Sequence, residues 1–243
     1  MSRRTGAALL ASLLLAFAAS GQDGDGKEKP KDKKEPPAGV KVGANLPATI
    51  NPYNVTARVV PLVEPDKEGG GAAKPVAAST KGKFHSPITE YDLDPVVFLV
   101  ARGLDDSAGF RDLLKKIDAA IGRNAAARLR CFVVFLLEDI TDKEGKTVSA
   151  DVVTFDRQRG ELAGRLEKLA DDLKLQGVVL TIAAPKDVAP FKLDGMAALN
   201  AVLYNRLKVE AVHDVGKDKL EKEDGAEAGA ILKDIAGKLK AAK

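Results

Sequence analysis

The sequence is organised around one continuous stretch, Val96-Val97-Phe98-Leu99-Val100-Ala101 followed by Arg102-Gly103-Leu104-Asp105-Asp106-Ser107. The first six residues are all apolar, which is typical of a strand buried on both faces of a sheet. Gly, Asp and Ser then break the strand, and apolar residues recur at helical spacing at Phe110, Leu113, Leu114, Ile117 and Ile121. The stretch therefore predicts a buried strand, a tight polar turn and an amphipathic helix.

A turn of this kind carries the chemistry in many α/β enzymes, because a helix N-terminus concentrates backbone donors and a partial positive charge. This turn contains no Cys, no Ser/His pair and no glycine-rich phosphate loop. Acidic residues at the start of a helix usually cap free N–H groups and complement the helix dipole. We therefore expect Asp105 and Asp106 to cap the helix, with Arg102 as the cation at the mouth of any site.

The composition is that of a globular protein. The 243 residues are 45% hydrophobic and 30% charged, which is enough to bury a core. Aromatic residues make up only 5% and tryptophan is absent, so the core must consist mainly of Val, Leu, Ile and Ala. The formal net charge is +3, and Arg3 and Arg4 lie in a segment that we expect to be removed. A nearly neutral mature chain argues against binding to nucleic acid or to an anionic membrane.

The N-terminal region predicts export. Residues 1–20 have a basic start at Arg3-Arg4, an apolar run from Ala7 to Ala18 and small residues after it, which indicates a signal peptide. The alternative is an uncleaved signal anchor, although the run is short for a bilayer span. Residues 21–38, rich in Lys, Glu, Asp, Gly and Pro, predict a disordered charged linker. We expect a secreted or periplasmic protein that has no integral membrane segment after signal removal.

Residues 39–243 form the predicted folded domain, with 39–93 as an N-terminal extension and 94–243 as the core. The extension includes a predicted strand region from Val55 to Val63. In the core, Arg130–Leu137 and Gly177–Ile182 predict two further buried strands, and right-handed crossovers make the core strands parallel. The helix between these two strands is marked by apolar residues spaced four, three and four apart, at Leu162, Leu166, Leu169 and Leu173.

The remaining segments complete an α/β arrangement. The polar residues 139–156 predict a surface insertion, with Val148–Phe155 as a short extension. Leu199–Tyr204 and Leu207–His213 flank Asn205-Arg206 and predict a β-hairpin. A terminal helix follows, with Asp224 as its N-cap. The order β-α-β-α-β, hairpin, helix predicts a sandwich with a mixed sheet. The alternative is a flavodoxin-like domain, in which another crossover would replace the hairpin.

This order resembles the thioredoxin-like superfamily, and in particular its redoxin and peroxiredoxin branch. The opening Val42-Gly43-x-x-x-Pro47-x-x-Ile50 is similar to the entry segment of those proteins, and the hairpin followed by a helix is similar to their closing elements. The resemblance extends from about Val42 to Leu239. It implies an α/β fold of the thioredoxin-like type, a three-layer sandwich with a mixed central sheet.

The redox residues of the family do not carry over. A thioredoxin has Cys-x-x-Cys at the start of the helix, where the dipole lowers a thiol pKa, and a peroxiredoxin has a Thr and a peroxidatic Cys in that turn. This chain has Leu104-Asp105-Asp106-Ser107 there, and Ser instead of a thiol in Phe84-His85-Ser86-Pro87. Asp194-Gly195-Met196-Ala197 lacks the cis-proline that usually precedes the hairpin. Loss of redox function is the simplest interpretation.

We therefore interpret the sequence as an exported, non-catalytic binding or structural module, whose partner is a protein or small molecule of unknown identity. The candidate ligand-binding residues are those of the degenerate site, namely Arg102, Gly103, Leu104, Asp105, Asp106, Ser107, His85 and Met196. The alternative is a thiol-dependent, peroxiredoxin-like oxidoreductase that uses Cys131 or an unrecognised site. A lone Cys inside a core strand is more often an inert small hydrophobe. We expect no metal and no cofactor, because His85 and His213 have no partner at ligand spacing and no phosphate-binding loop occurs.

Overall fold

Six strands and five α-helices form the described part of the chain, in a computed structural model. The strands are β1 (Tyr53–Asn54), β2 (Val96–Ala101), β3 (Arg130–Leu136), β4 (Val178–Ala183), β5 (Leu199–Asn205) and β6 (Lys208–Val215). The helices are α1 (Pro87–Tyr91), α2 (Ala108–Arg123), α3 (Val152–Leu173), α4 (Pro185–Val188) and α5 (Ala226–Ala241). The predicted β-α-β-α-β order, the hairpin and the terminal helix are confirmed.

The structure describes residues 39–57, 79–104, 106–137, 152–221, 223 and 225–241. All of them belong to one unit of the chain, Pro36–Lys243. The predicted signal peptide, the linker at 21–38, most of the 139–156 insertion and the Asp224 cap lie outside the described residues. Among the helices that are described, none combines the length and the apolar character needed to cross a bilayer.

The strands form one mixed sheet in the order β1-β4-β3-β2-β5-β6. Strands β2, β3 and β4 are parallel, whereas β5 is antiparallel to both β2 and β6. The hairpin turn lies one residue later than predicted, at Arg206-Leu207, and both residues have positive φ, 50° and 62°, as a type I′ turn requires. The last two strands are therefore not joined by a crossover. The flavodoxin-like alternative is wrong, and the predicted thioredoxin-like sandwich with its mixed sheet is confirmed.

Each face of the sheet carries its own hydrophobic cluster. Helices α2, α3 and α5 cover one face, through side chains such as Leu114, Leu166 and Ile231. The other face is covered by α1, α4 and parts of the N-terminal extension, through side chains such as Ile88. On that face the ring of Phe98 in β2 stacks on the ring of Phe132 in β3, with the ring centroids 4.8 Å apart. These three layers bury all six residues of β2.

The structure corrects the predicted elements at three places. Helix α3 begins at Val152, so the end of the short extension predicted at Val148–Phe155 is the first turn of a helix. Phe155 packs there on the same apolar cluster as Leu162. Strand β1 lies before the predicted strand region, which continues beyond residue 57 outside the described residues. Helix α1 was not predicted because it has only five residues; Ser86 caps it and a proline occupies its first position.

The buried hydroxyl of Tyr204 and the buried thiol of Cys131 make the core less stable at alkaline pH. Tyr204 in β5 is 1% exposed, and its hydroxyl has no hydrogen-bond partner among the described residues. Burial raises the pKa of Tyr204, with smaller contributions from Tyr91 and Cys131. Burial likewise raises the pKa of Cys131, with a smaller contribution from Asp118. The unfolded chain therefore releases both protons at lower pH than the folded chain, and folding is disfavoured as pH rises.

We predict that the free energy of unfolding decreases above pH 9.0, the ordinary pKa of cysteine, and decreases more steeply above pH 10.0, that of tyrosine. Each group contributes about 1.4 kcal/mol per pH unit. The substitution Tyr204→Phe removes the contribution of the tyrosine, and it does not lower stability at neutral pH because it deletes an unpaired buried hydroxyl. Urea unfolding across the alkaline range measures both effects. Cys131→Ala is the control that keeps the tyrosine contribution, and an unchanged pH profile for Tyr204→Phe would contradict the prediction.

Candidate functional site

The turn 102–107 lies at the carboxyl edge of the parallel strands, directly after β2 and before α2. Ligands of open α/β sheets usually bind beyond the carboxyl ends of the strands. Gly103 has φ of 59°, in the left-handed region that favours glycine, and this conformation turns the chain out of the sheet. Leu104 is fully buried and anchors the turn to the core.

The helix cap differs from the prediction. Ser107, and not an acidic residue, is the N-cap of α2, and its Oγ accepts a hydrogen bond from the N–H of Phe110 at 3.3 Å. The same hydroxyl donates to the backbone oxygen of Leu220. Asp106 is exposed, and Asp105 lies outside the described residues. A short hydroxyl suits this position because it can accept from the helix and donate to the segment before α5 at the same time.

Arg102 joins the turn to the segment that precedes β5. Its backbone N–H donates to the carbonyl of Ala198 at 2.8 Å. Its Nη1 donates to the carbonyl of Ala197 at 2.9 Å and to Oδ1 of Asn200 at 2.5 Å. In the thioredoxin-like proteins that the sequence resembles, the segment before the hairpin usually holds a cis-proline. Here the side chain of Arg102 binds the backbone of that segment instead.

Asn200 extends this contact into a network. It is fully buried, and its Nδ2 donates to Oδ1 of Asp214 at 2.6 Å and to the carbonyl of Asp194 at 3.2 Å. Burial lowers the pKa of Arg102, and the charges of Asp194 and Asp214 act in the opposite direction. Arginine stays charged under ordinary conditions, so the network holds a partly desolvated cation whose charge interacts with the carboxylates of Asp194 and Asp214. We call Arg102, Asn200, Asp194 and Asp214 the Arg102 network.

A cleft of about 590 Å³ opens beside Arg102, and we call it the carboxyl-edge cleft. Its volume lies within the range of small-molecule sites. The wall is mostly apolar and comes from the end of β3, from α4 and from the residues after α4, namely Leu136, Leu137, Pro185, Val188, Ala189 and Leu193. Arg102 and Lys192 supply its charges, and no carboxylate belongs to the lining in the described part of the chain.

The structure brings together only part of the predicted site. Arg102 and Gly103 line the carboxyl-edge cleft. Met196 follows Gly195 at the rim, with its side chain 92% exposed and its N–H bonded to the Asp194 carboxylate at 2.9 Å. Arg102 and Gly103 therefore belong to the cleft itself, whereas Met196 is only adjacent in sequence to one of its lining residues.

His85 lies apart from the turn. Its backbone N–H donates to the carbonyl of Pro52, next to β1, and its Nε2 is 3.0 Å from a carboxylate oxygen of Glu90. Strand β1 is at one edge of the sheet and is separated from β2 by β4 and β3. The structure therefore gives His85 a local partner at the sheet edge, and no contact with Arg102 is seen in the described residues.

Sequence reasoning missed the two side chains that complete the site. Asn200 is a fully buried polar residue in the otherwise apolar run 199–203 of β5, and that exception in the pattern was the available signal. Lys192 gave no signal, because it is one exposed lysine in a polar connection. Within the described ranges no group of three or more His, Cys, Asp or Glu side chains could hold a metal ion.

We predict that Ser107→Ala lowers the free energy of unfolding by about 1–2 kcal/mol, because the α2 cap is lost and the Leu220 carbonyl loses its donor. Chemical unfolding measures this loss. The control is Ser79→Ala, at an exposed serine that accepts one local backbone bond at 3.3 Å and should change stability by less than about 0.5 kcal/mol. Equal effects of the two substitutions on the free energy of unfolding would show that the hydrogen bonds of Ser107 do not stabilise the turn.

Comparison with known proteins finds similarity only at the level of the fold. No family model matches the chain, and no curated protein matches it. Among solved structures, a DsbF homologue from Corynebacterium diphtheriae is 10% identical with a TM-score of 0.44, covering 84% of this chain and 95% of its own. The thioredoxin domain of a thiol-disulfide oxidoreductase from Bacteroides vulgatus is 12% identical with a TM-score of 0.43, covering 75% and 94%. A mitochondrial 1-Cys peroxiredoxin from yeast is 6% identical with a TM-score of 0.46, covering 81% and 75%.

The topology of the chain itself identifies the fold. Three parallel strands, an antiparallel hairpin and a terminal helix follow one another as the sequence resemblance implied. The turn that would hold the redox cysteines is present at the start of α2, and the one cysteine of the chain is elsewhere, in β3. By its strand order and pairing directions, the described part of the chain has a thioredoxin-like fold, and the turn before α2 contains no cysteine.

Proposed function

We propose that the protein is an exported binding module without thiol redox activity, and that it binds its ligand at the carboxyl-edge cleft. The observation that carries the proposal is the position of Cys131. It is the only cysteine of the chain, it is fully buried, and it lies in a central strand. A thiol in this environment is unsuited to attack a disulfide or a peroxide.

The chemistry of Cys131 supports the absence of redox activity. Thiol exchange and peroxide reduction both need an accessible thiolate. Burial raises the pKa of Cys131, so the thiol stays protonated in the folded protein. Its neighbours across the sheet are Val97 and Val178, and α2, α3 and α5 cover its face. The thiol-dependent alternative requires this packing to open.

The Arg102 network supports a binding role for the same edge. It fixes the turn after β2 through three hydrogen bonds from Arg102, two to Ala197 and Ala198 before β5 and one to Asn200 in β5. A cleft whose wall is held in place before the ligand arrives costs less ordering on binding. Export is supported by the basic, apolar and small-residue pattern of residues 1–20.

We predict that a maleimide probe labels Cys131 only after denaturation, because the native thiol is buried and protonated. Insulin reduction with dithiothreitol and peroxide consumption should both stay at the rate without protein. The matched control is Asp106→Cys, which places a second thiol at an exposed position in the turn before α2 and should label rapidly in native buffer.

Fast native labelling of the wild-type chain would show that the Cys131 strand is accessible. Turnover in either assay that disappears in the variant Cys131→Ala would overturn the proposed function. The control excludes an inactive probe. One label per Asp106→Cys chain in native buffer shows that the probe reacts and that it reacts only at the exposed position.

A further inference from the structure

We infer that the carboxyl-edge cleft takes a small organic acid, with its carboxylate on Arg102 and Lys192 and its apolar body on the β3 and α4 wall. The inference rests on the proposed binding function and adds the chemical class of the ligand. It follows from the charges of the lining, from the donors left on Arg102 and from the apolar wall.

The charges of the cleft are of one sign. Arg102 and Lys192 both contribute to its lining, and none of the described lining residues is acidic. Asp194 and Asp214 offset part of the charge of Arg102, but neither belongs to the lining, and each already accepts a hydrogen bond from the protein. A ligand with a negative head group therefore matches the cleft better than a neutral or cationic one.

Arg102 has donors left for a ligand. Its side-chain hydrogen bonds, as far as the chain is described, both use Nη1. Nε and Nη2 form one edge of the planar guanidinium, and two parallel N–H donors fit the two oxygens of a carboxylate. The group is partly desolvated, since burial lowers the pKa of Arg102. An anion restores the hydrogen bonds that water supplies to a free guanidinium.

The rest of the lining suits an apolar body. Leu136 at the end of β3 and Leu137 after it line the cleft together with Val188 of α4 and Leu193 of the segment after α4. Binding sites of this size are usually apolar with a few polar groups that set the orientation of the ligand. The two cations would fix the head group, while the leucines and the valine would cover a short hydrocarbon chain.

Isothermal titration of the chain with octanoate, octan-1-ol and octylamine tests the inference, because the three probes share a tail and differ in the head group. We expect octanoate to bind at least about tenfold more tightly than octan-1-ol, and octylamine to bind most weakly. Lys192→Gln should weaken octanoate about three- to tenfold and leave octan-1-ol unchanged. The matched control is Lys186→Gln, at an exposed lysine of α4 that does not line the cleft.

Arg102→Gln provides a second variant, and its fold is checked by its unfolding transition because Arg102 belongs to the network. Equal affinity for octanoate and octan-1-ol would overturn the inference and leave a binding cleft without charge selection. Equal effects of Lys192→Gln and Lys186→Gln, or no saturable octanoate binding, would also overturn it. The proposed absence of redox activity is tested by the insulin and peroxide assays and not by the titrations. Failure of the ligand inference and failure of the proposed absence of redox activity are therefore distinguishable.

Discussion

Strand β2 is the constraint on which the rest of the structure depends. It pairs with β3 on one side and with β5 on the other, and all six of its residues are buried. A strand with hydrogen bonds on both edges and apolar layers on both faces has one register that satisfies every group. The end of β2 is therefore a fixed point, and the turn that begins at Arg102 starts from a defined position at the carboxyl edge.

At that position the chain makes hydrogen bonds, whereas its fold suggests a reactive thiol. Redox members of the fold use a thiol at the start of the helix, which the helix dipole activates. Here Ser107 occupies the cap and Arg102 binds the backbone of Ala197 and Ala198 across the edge. The edge is held together by hydrogen bonds and one partly buried cation. The described residues of this edge include no cysteine, and the proposed binding role rests on selection of a ligand by charge and shape.

The sequence was sufficient for the local and periodic features. The apolar run of β2, the helical spacing of α2 and α3 and the β5–β6 hairpin, whose turn was predicted one residue too early, each depend on neighbouring residues, so their patterns are visible in the chain. The site depends on contacts between distant segments. Arg102 and Asn200 are 98 residues apart, and the wall from α4 meets the end of β3 only in the folded sheet. Spacing along the chain does not report such contacts, and the cap on α2 was assigned to the wrong neighbours because Asp and Ser both suit that position.

Arg102 and Asn200 together fix the turn after β2 to the start of β5, and a double-mutant cycle tests this most directly. The free energies of unfolding are measured for the wild type, Arg102→Ala, Asn200→Ala and the double variant. Because the two side chains share one hydrogen bond of 2.5 Å, we expect the double variant to lose about 1–3 kcal/mol less than the sum of the single losses. Additive losses, within about 0.5 kcal/mol, would mean that the two residues act independently, and this would contradict the account of the edge.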